Sequence, residues 1–282
     1  MALGGIFFLF ILSVCLSADS WAEHSSKVGW MEAAKFMDRE KARMGYLPKI
    51  TDRFPGLAIP DAYEIQNYLI RTGTKKNLVV GYKAGFTGLD DRDRFGLQHP
   101  VSGVLFSGCG YKGEVSLSLE AHPGLMLELE IGYRLKSKIT EPIKSSDDLK
   151  RYIGAGFPVI ELPQIKFRDL QGISGIDLVA GNMASACWIE GNSFVSIDPS
   201  DYDSLKVSLF LDGELIDSGF AGAVNGQKAA LLWLVQHLQR RNVSLEEGLL
   251  LLTGKIGNIN LAKVGEYVAI YGEKKLFFQI SH

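Results

Sequence analysis

Pro123-Gly124-Leu125-Met126-Leu127-Glu128-Leu129-Glu130-Ile131-Gly132-Tyr133-Arg134-Leu135 is the stretch whose reading decides the fold. From Leu125 to Leu135 every second residue is apolar or aromatic: Leu125, Leu127, Leu129, Ile131, Tyr133 and Leu135. That is the period of a β-strand with one face in a core. Glu128 and Glu130 therefore share the opposite face, their Cβ atoms about 7 Å apart, two steps of about 3.3 Å. Carboxylates held that close repel unless water, a base or a cation lies between them. A hard divalent cation such as Mg²⁺ takes carboxylate oxygens, so the pair could supply half of a metal cage; the alternative is a solvated strand face. Further along, Phe157-Pro158-Val159-Ile160-Glu161-Leu162-Pro163-Gln164-Ile165 sets Glu161 in an apolar run, where a carboxylate is costly without a partner. A charged segment of helical type, Ser145 to Tyr152, precedes it. Glu128, Glu130 and Glu161 are thus a candidate three-carboxylate site. The competing reading of Glu161 is a strand-end side chain that escapes to solvent beside Pro163.

The spacing Glu-x-Glu, then Pro-x-x-Glu, resembles the fumarylacetoacetate hydrolase superfamily. More narrowly, it resembles the 2-keto-4-pentenoate hydratase and 4-oxalocrotonate decarboxylase group. Other segments match that group in the same order: Asp61-Ala62-Tyr63-Glu64-Ile65-Gln66, Gly81-Tyr82-Lys83-Ala84-Gly85-Phe86-Thr87 and Pro100-Val101-Ser102-Gly103-Val104-Leu105-Phe106. Asp177-Leu178-Val179-Ala180-Gly181-Asn182-Met183-Ala184-Ser185 and Leu252-Thr253-Gly254-Lys255-Ile256-Gly257 follow. The resemblance runs from about Asp61 to the C-terminus and rests on the ordered set. It implies an α+β fold, a fumarylacetoacetate-hydrolase-like mixed β-roll with a small N-terminal helical region. It also implies Mg²⁺ or Mn²⁺ held by Glu128, Glu130 and Glu161.

By the same resemblance Lys83 lines the active site, where it would neutralise a carboxylate or a developing enolate. Composition alone would leave Lys83 solvated at a strand end. Asn182, Ser185 and Thr253 are the expected substrate contacts. The implied activity is that of a metal-dependent hydro-lyase on 2-keto-4-pentenoate-like 2-oxo acids, through a metal-stabilised enolate. Such a reaction belongs to aromatic catabolism, and the resemblance suggests a homo-oligomer.

Three departures weigh on that reading. The group usually has Pro-Asp-Phe-Gly where this chain has Pro100-Val101-Ser102-Gly103, and Arg after the proline where this chain has Gly124. Gly181 replaces the Asp of its Ala-Asp-Asn-Ala-Ser. An apolar residue at 101 looks more like the decarboxylase branch. His99 is the candidate to take over proton transfer, since imidazole titrates near neutrality; the alternative is an exposed loop histidine. A decarboxylase or C–C hydrolase would use the same cage, and a non-catalytic exported relative that binds metal and 2-oxo acid would keep it without chemistry.

Outward from these motifs, 282 residues with 46% hydrophobic content can bury a large core. Lys plus Arg number 30 against 32 Asp plus Glu, a balance that argues against a nucleic-acid binder. Residues 1–22 read as a secretory signal peptide: an apolar run from Ile6 to Leu16, then Ser20-Trp21-Ala22 as a small-x-small cleavage site. The mature chain is then expected to be periplasmic or secreted; an uncleaved membrane anchor is the alternative. Cys109 and Cys187 remain beyond that segment, and sequence alone reads them as two small buried hydrophobes rather than a pair.

Residues 23–77 are expected to form the N-terminal helical region, with helices over Trp30 to Met44 and Asp61 to about Arg71. Residues 78–282 form the expected catalytic domain. It opens with a strand at Leu78 to Lys83 and carries a Gly-rich loop from Gly172 to Gly181 that presents Asp177. Alternation from Leu205 to Leu211 into Asp212-Gly213 signals a two-residue hairpin. Gln227 to Arg241 predicts a helix in which His237 is a surface or packing residue. Gly248 to Thr253 predicts a buried strand, and Glu266 to Ile280 a hairpin about Gly272.

Overall fold

In the computed structural model, which describes residues 29–73, 78–196 and 198–282, the alternating stretch is a nine-residue strand in the larger of two sheets. The expected signal segment lies outside the described residues. The chain begins with α1 (Trp30–Met44), α2 (Ile59–Gly73), β1 (Val79–Gly85), α3 (Leu89–Arg94), β2 (Val101–Phe106), β3 (Gly110–Lys112) and β4 (Val115–Ser118). Then come β5 (Met126–Arg134), α4 (Ser146–Lys150), β6 (Phe157–Leu162), α5 (Gly175–Ala180), β7 (Cys187–Glu190), β8 (Lys206–Leu211) and β9 (Glu214–Phe220). The chain closes with α6 (Gln227–Arg240), β10 (Leu250–Leu252), β11 (Ile256–Leu261), β12 (Gly265–Tyr271) and β13 (Lys274–Ser281). Among the described residues no helix is long and apolar enough to cross a membrane.

The eight-stranded sheet runs β2-β1-β10-β5-β6-β7-β3, with β11 also paired to β5; the five-stranded sheet runs β4-β13-β12-β8-β9. Leu125, Leu127, Leu129, Ile131, Tyr133 and Leu135 are all 1% exposed or less. Burying each such side chain contributes about 1.5–3 kcal/mol. They pack with Leu209, Tyr267, Ala269 and Tyr271 of the smaller sheet and with Leu231, Leu234 and Leu238 of α6. This core anchors one face of β5 and leaves Glu128 and Glu130 on the other.

The N-terminal helices do not stand apart. Ala33, Ala34, Met37, Ala62, Tyr63 and Ile65 share a second apolar cluster with Val101, Phe167, Val179 and Met183. The segment from Gly172 to Gly181 is not the open loop expected from its glycines. It carries α5, begun by a reciprocal capping box between Ser174 and Asp177. A Ser-x-x-Asp spacing satisfies free helix N–H groups and outweighs the turn preference of the flanking glycines. Asp177 also accepts from the Thr51 backbone N–H and hydroxyl, at 3.1 and 2.7 Å, so its carboxylate is spent joining the N-terminal region to α5.

Lys83 on β1 and Glu161 on β6 are separated in strand order by β10 and β5. In a flat sheet three steps of about 4.8 Å would keep their backbones about 14 Å apart. Their side chains touch, so the sheet curls around the site. Close approach of β1 to β10 helps. Gly81 lies opposite Leu250, and a Cβ at Gly81 would come within 2.3 Å of the Leu250 carbonyl oxygen.

Gly81→Ala should therefore push β1 off β10 and destabilise the fold by at least about 2 kcal/mol, read as a lower urea midpoint. An unchanged midpoint would mean that this strand contact has slack.

Candidate metal centre

Pairing between β5 and β6 sets Glu128 directly opposite Glu161 and Glu130 opposite Val159. The three carboxylates bring ligand oxygens within 4.8 Å of one another, and Glu130 and Glu161 are fully buried. Each buried carboxylate has one oxygen tied to the protein. Glu130 Oε2 accepts the Gly254 backbone N–H at 2.8 Å, and Glu161 Oε1 receives the Lys83 ammonium in a short buried ion pair. Glu130 Oε1 and Glu161 Oε2 have no partner. An orphaned buried carboxylate oxygen is costly, and two beside a third carboxylate call for a cation.

The donor set fits one. Mg²⁺ and Ca²⁺ take oxygens at about 2.0–2.6 Å, so two ligands of one ion lie at most about 5 Å apart. Among the described residues this is the group of His, Cys, Asp or Glu side chains that meets such a limit threefold.

Crowding shows in the acidities. Burial, then the Glu161 carboxylate, pushes Glu128 up to about 7, against the pull of Lys83 and Lys255. Burial, then the Glu161 and Glu128 carboxylates, drives Glu130 well above the usual carboxylate range. Lys83 is the converse. Burial alone would lower its pKa, but Glu161, Glu128 and Glu130 together outweigh burial and raise it, so the ammonium keeps its proton.

Several supports fall on residues that sequence reading passed over. The Tyr271 hydroxyl wedges into the β5–β6 ladder, accepting from the Glu130 backbone N–H at 3.3 Å and donating to the Val159 carbonyl at 2.6 Å. Gly254, one residue past the expected contact Thr253, supplies the N–H that holds Glu130. Thr253 itself is fully buried, its hydroxyl committed to Gln227 Oε1 at 2.8 Å and the Ile131 carbonyl at 3.2 Å, so it braces the core and offers nothing to a ligand. Tyr271 carries no local pattern that would have marked it, and Gly254 stood in the quoted Leu252–Gly257 segment without a role; each acts by long-range placement.

Asn182 and Ser185 are likewise engaged. The Asn182 amide accepts from the Val104 N–H at 2.8 Å and donates to the Val104 carbonyl at 3.0 Å, and the Ser185 hydroxyl donates to that carbonyl at 2.8 Å. They clasp β2 rather than face open space. Asn182, Met183 and Ala184 have φ of 63°, 56° and 54°. This left-handed turn costs about 1–2 kcal/mol per non-glycine residue, and the clasp on Val104 sustains it. At Gly181 a side chain would meet the Phe167 ring at 2.7 Å, which leaves no room for the group's usual acid.

A cavity of about 900 Å³ lies near the centre, lined in part by Asp91, Arg92, His99, Asn225, Trp233 and Lys255, while the three carboxylates themselves are not part of its wall. Lys255 and Asp91, paired at 2.9 Å, both act on the Glu128 charge, which ties the cavity to the centre. His99 is exposed at its wall, on the loop leading into β2.

The chain is similar to known proteins in sequence and in fold. The chain is 26% identical over 221 residues to a 2-keto-4-pentenoate hydratase of Paraburkholderia xenovorans, covering 77% of this chain and 81% of that one. Its fold matches 4-oxalocrotonate decarboxylase from Pseudomonas putida G7, complexed with magnesium and adipate, at a TM-score of 0.80 and 22% identity. That match covers 89% of this chain and 97% of the other. A fumarylacetoacetate hydrolase family protein from Yersinia pestis matches at a TM-score of 0.53 and 14% identity, over 71% and 92%. No protein-family model matches the chain. The expected fumarylacetoacetate-hydrolase-like fold is therefore the one observed.

Glu130→Gln should weaken Mg²⁺ or Mn²⁺ binding more than roughly tenfold in titration calorimetry while the circular dichroism stays native; equal affinity would dismiss Glu130 as a ligand. The acidities add a pH test. Without metal, Glu128 and Glu130 hold protons more tightly folded than unfolded. The stability this confers is complete below the ordinary carboxylate value of 4.5 and is lost as pH rises through about 7. Metal must displace those protons, so affinity should rise with pH across the same window. A flat pH profile would contradict the arrangement.

Proposed function

We propose that this chain, a sequence relative of the 2-keto-4-pentenoate hydratases with a fumarylacetoacetate-hydrolase-like fold, is a divalent-metal-dependent hydro-lyase acting on small 2-keto-4-pentenoate-like 2-oxo acids. One observation carries the reading: three carboxylates, two of them with an orphaned buried oxygen, meet one buried ammonium near a cavity large enough for a small acid. Glu128, Glu130 and Glu161 would hold Mg²⁺ or Mn²⁺. When bound, the cation supplies Lewis acidity toward the carboxylate and keto oxygens of a 2-oxo acid.

The chain's own groups do the rest. The Gly254 N–H and the Lys83 ammonium each fix one oxygen of Glu130 and Glu161, leaving the other free to ligate. Lys83 Nζ, buried and protonated beside Glu161, would stabilise the negative charge that grows as the substrate loses a proton from carbon. There a fixed positive charge acts in a low-dielectric setting without reorganising. Arg92 and Lys255 bring positive charge to the cavity wall and offer a substrate carboxylate what Gly124, exposed in the turn before β5, does not. His99 at the same wall is placed to exchange protons between cavity and solvent.

A decarboxylase using the same groups is the second reading, favoured by Val101. That side chain is 2% exposed in the apolar cluster of the N-terminal helices, so no acid stands where the hydratases carry one.

Supplied with Mg²⁺ and 2-hydroxypenta-2,4-dienoate, the protein should consume the dienol and yield a hydrated 2-oxo acid. Release of CO₂ from 4-oxalocrotonate without hydration would favour the decarboxylase, and no turnover of either, with metal and 2-oxo acid bound, a binding protein. Lys83→Met should lower turnover about a hundred- to a thousand-fold. Since it removes the counter-charge of Glu161, the metal-free variant should also melt at lower temperature and recover on adding Mg²⁺. A variant as fast as the parent would make Lys83 a bystander.

A further inference from the structure

On the far edge of the larger sheet, β3 and β7 run parallel with Gly110 opposite Trp188 and Tyr111 opposite Ile189. The Trp188 N–H donates to the Cys109 carbonyl at 3.0 Å. One residue before Gly110 and Trp188 stand Cys109, just ahead of β3, and Cys187, the first residue of β7. Facing residues on adjacent strands point to the same side of the sheet, and Gly110 and Trp188 occupy one side, so both thiols project from the other. Strand spacing of about 4.8 Å falls inside the window of about 4.4–6.8 Å between Cα atoms that a disulfide spans.

Gly110 makes the seam tight. The Trp188 ring lies across it, and a Cβ there would come within 2.5 Å of the indole. The two thiols share one microenvironment with the amine of the exposed Lys166 and with the Tyr111 hydroxyl. Burial, then the Cys109 thiol, pushes Cys187 up to about 12. Cys187 is 4% exposed, whereas Cys109 is half-buried between the exposed Gly108 and Gly110.

We infer that Cys109 and Cys187 are a modification site: a thiol pair that a small-molecule disulfide converts to an intramolecular disulfide. Cys109, the accessible partner, attacks one sulfur of oxidised glutathione as its thiolate. The glutathione S–S bond breaks, one glutathione leaves as thiolate and takes up the proton that Cys109 lost, and a mixed disulfide remains. Cys187 then gives up its proton and attacks the Cys109 sulfur. The second glutathione leaves and collects that proton. Two electrons pass from the protein thiols to glutathione, giving one protein disulfide and two glutathione thiols. The new bond would tie the segment after β2 to the start of β7, near where Asn182 and Ser185 already hold Val104 of β2.

The test uses the full chain incubated with excess oxidised glutathione, alkylated, digested and mapped by mass spectrometry without reduction. The expected result is a cross-linked peptide joining Cys109 to Cys187, exceeding the separate peptides roughly tenfold or more and reversed by dithiothreitol. Cys109→Ser, half-exposed and mild for the fold, should leave Cys187 neither cross-linked nor glutathionylated, because the buried thiol is not the one that meets oxidant. Recovery of Cys109 and Cys187 in the parent as free thiols or as stable separate glutathione adducts would overturn the inference. So would a cross-link from either to Cys15, or ready glutathionylation of Cys187 in the Ser variant.

Discussion

Three carboxylates and one ammonium, most of them closed off from water, are the constraint on which the rest of this structure depends. Desolvating an ion costs several kcal/mol, and a cluster of like charges adds repulsion. The Lys83 pair with Glu161 answers one negative charge and cannot answer three. The remainder appears as carboxyls pushed toward holding protons and as two oxygens without partners. A divalent cation resolves both at once, because it supplies the missing charge and takes the free oxygens. A buried cluster that is unfavourable by itself and satisfied by a ligand is a site, not a structural ornament.

The scaffold around it is correspondingly over-determined. Glu128 and Glu130 are aimed by the burial of the alternate residues on β5; rotating them away would drag six core side chains out of the apolar interior. Tyr271 reaches from the smaller sheet to seat its hydroxyl between Glu130 and Val159, so the inter-sheet core and the site share one residue. Gln227, at the start of α6, collects the hydroxyls of Tyr133 and Thr253 and thereby sets the segment that delivers the Gly254 N–H. Loss of any of these would move an oxygen rather than remove one.

At two of the three positions where the chain departs from the pattern it resembles, packing excludes the expected side chain. Val101 belongs to the apolar cluster that docks the N-terminal helices, and an acid there would be buried without a partner. Gly181 lies against the Phe167 ring. These differences leave the carboxylate cluster intact and alter its surroundings.

The amino-acid sequence by itself determined the strand face that carries Glu128 and Glu130, the apolar setting of Glu161, the helices Trp30–Met44 and Gln227–Arg240, and the Asp212-Gly213 hairpin. These follow from period, capping and turn chemistry, which act over a few residues. Only the tertiary structure decided that Lys83 meets Glu161 across two intervening strands, that Gly254 rather than Thr253 serves the site, and that Asn182 and Ser185 clasp β2. Asp177 was legible as a polar loop residue and proved to be a helix cap tied to Thr51. The cap itself is local, a Ser-x-x-Asp spacing, but for the other three the physical reason is common. Strand order and sheet curl set which side chains face each other, and neither is written in local spacing, since both arise from burying one apolar face against elements more than a hundred residues away in the chain.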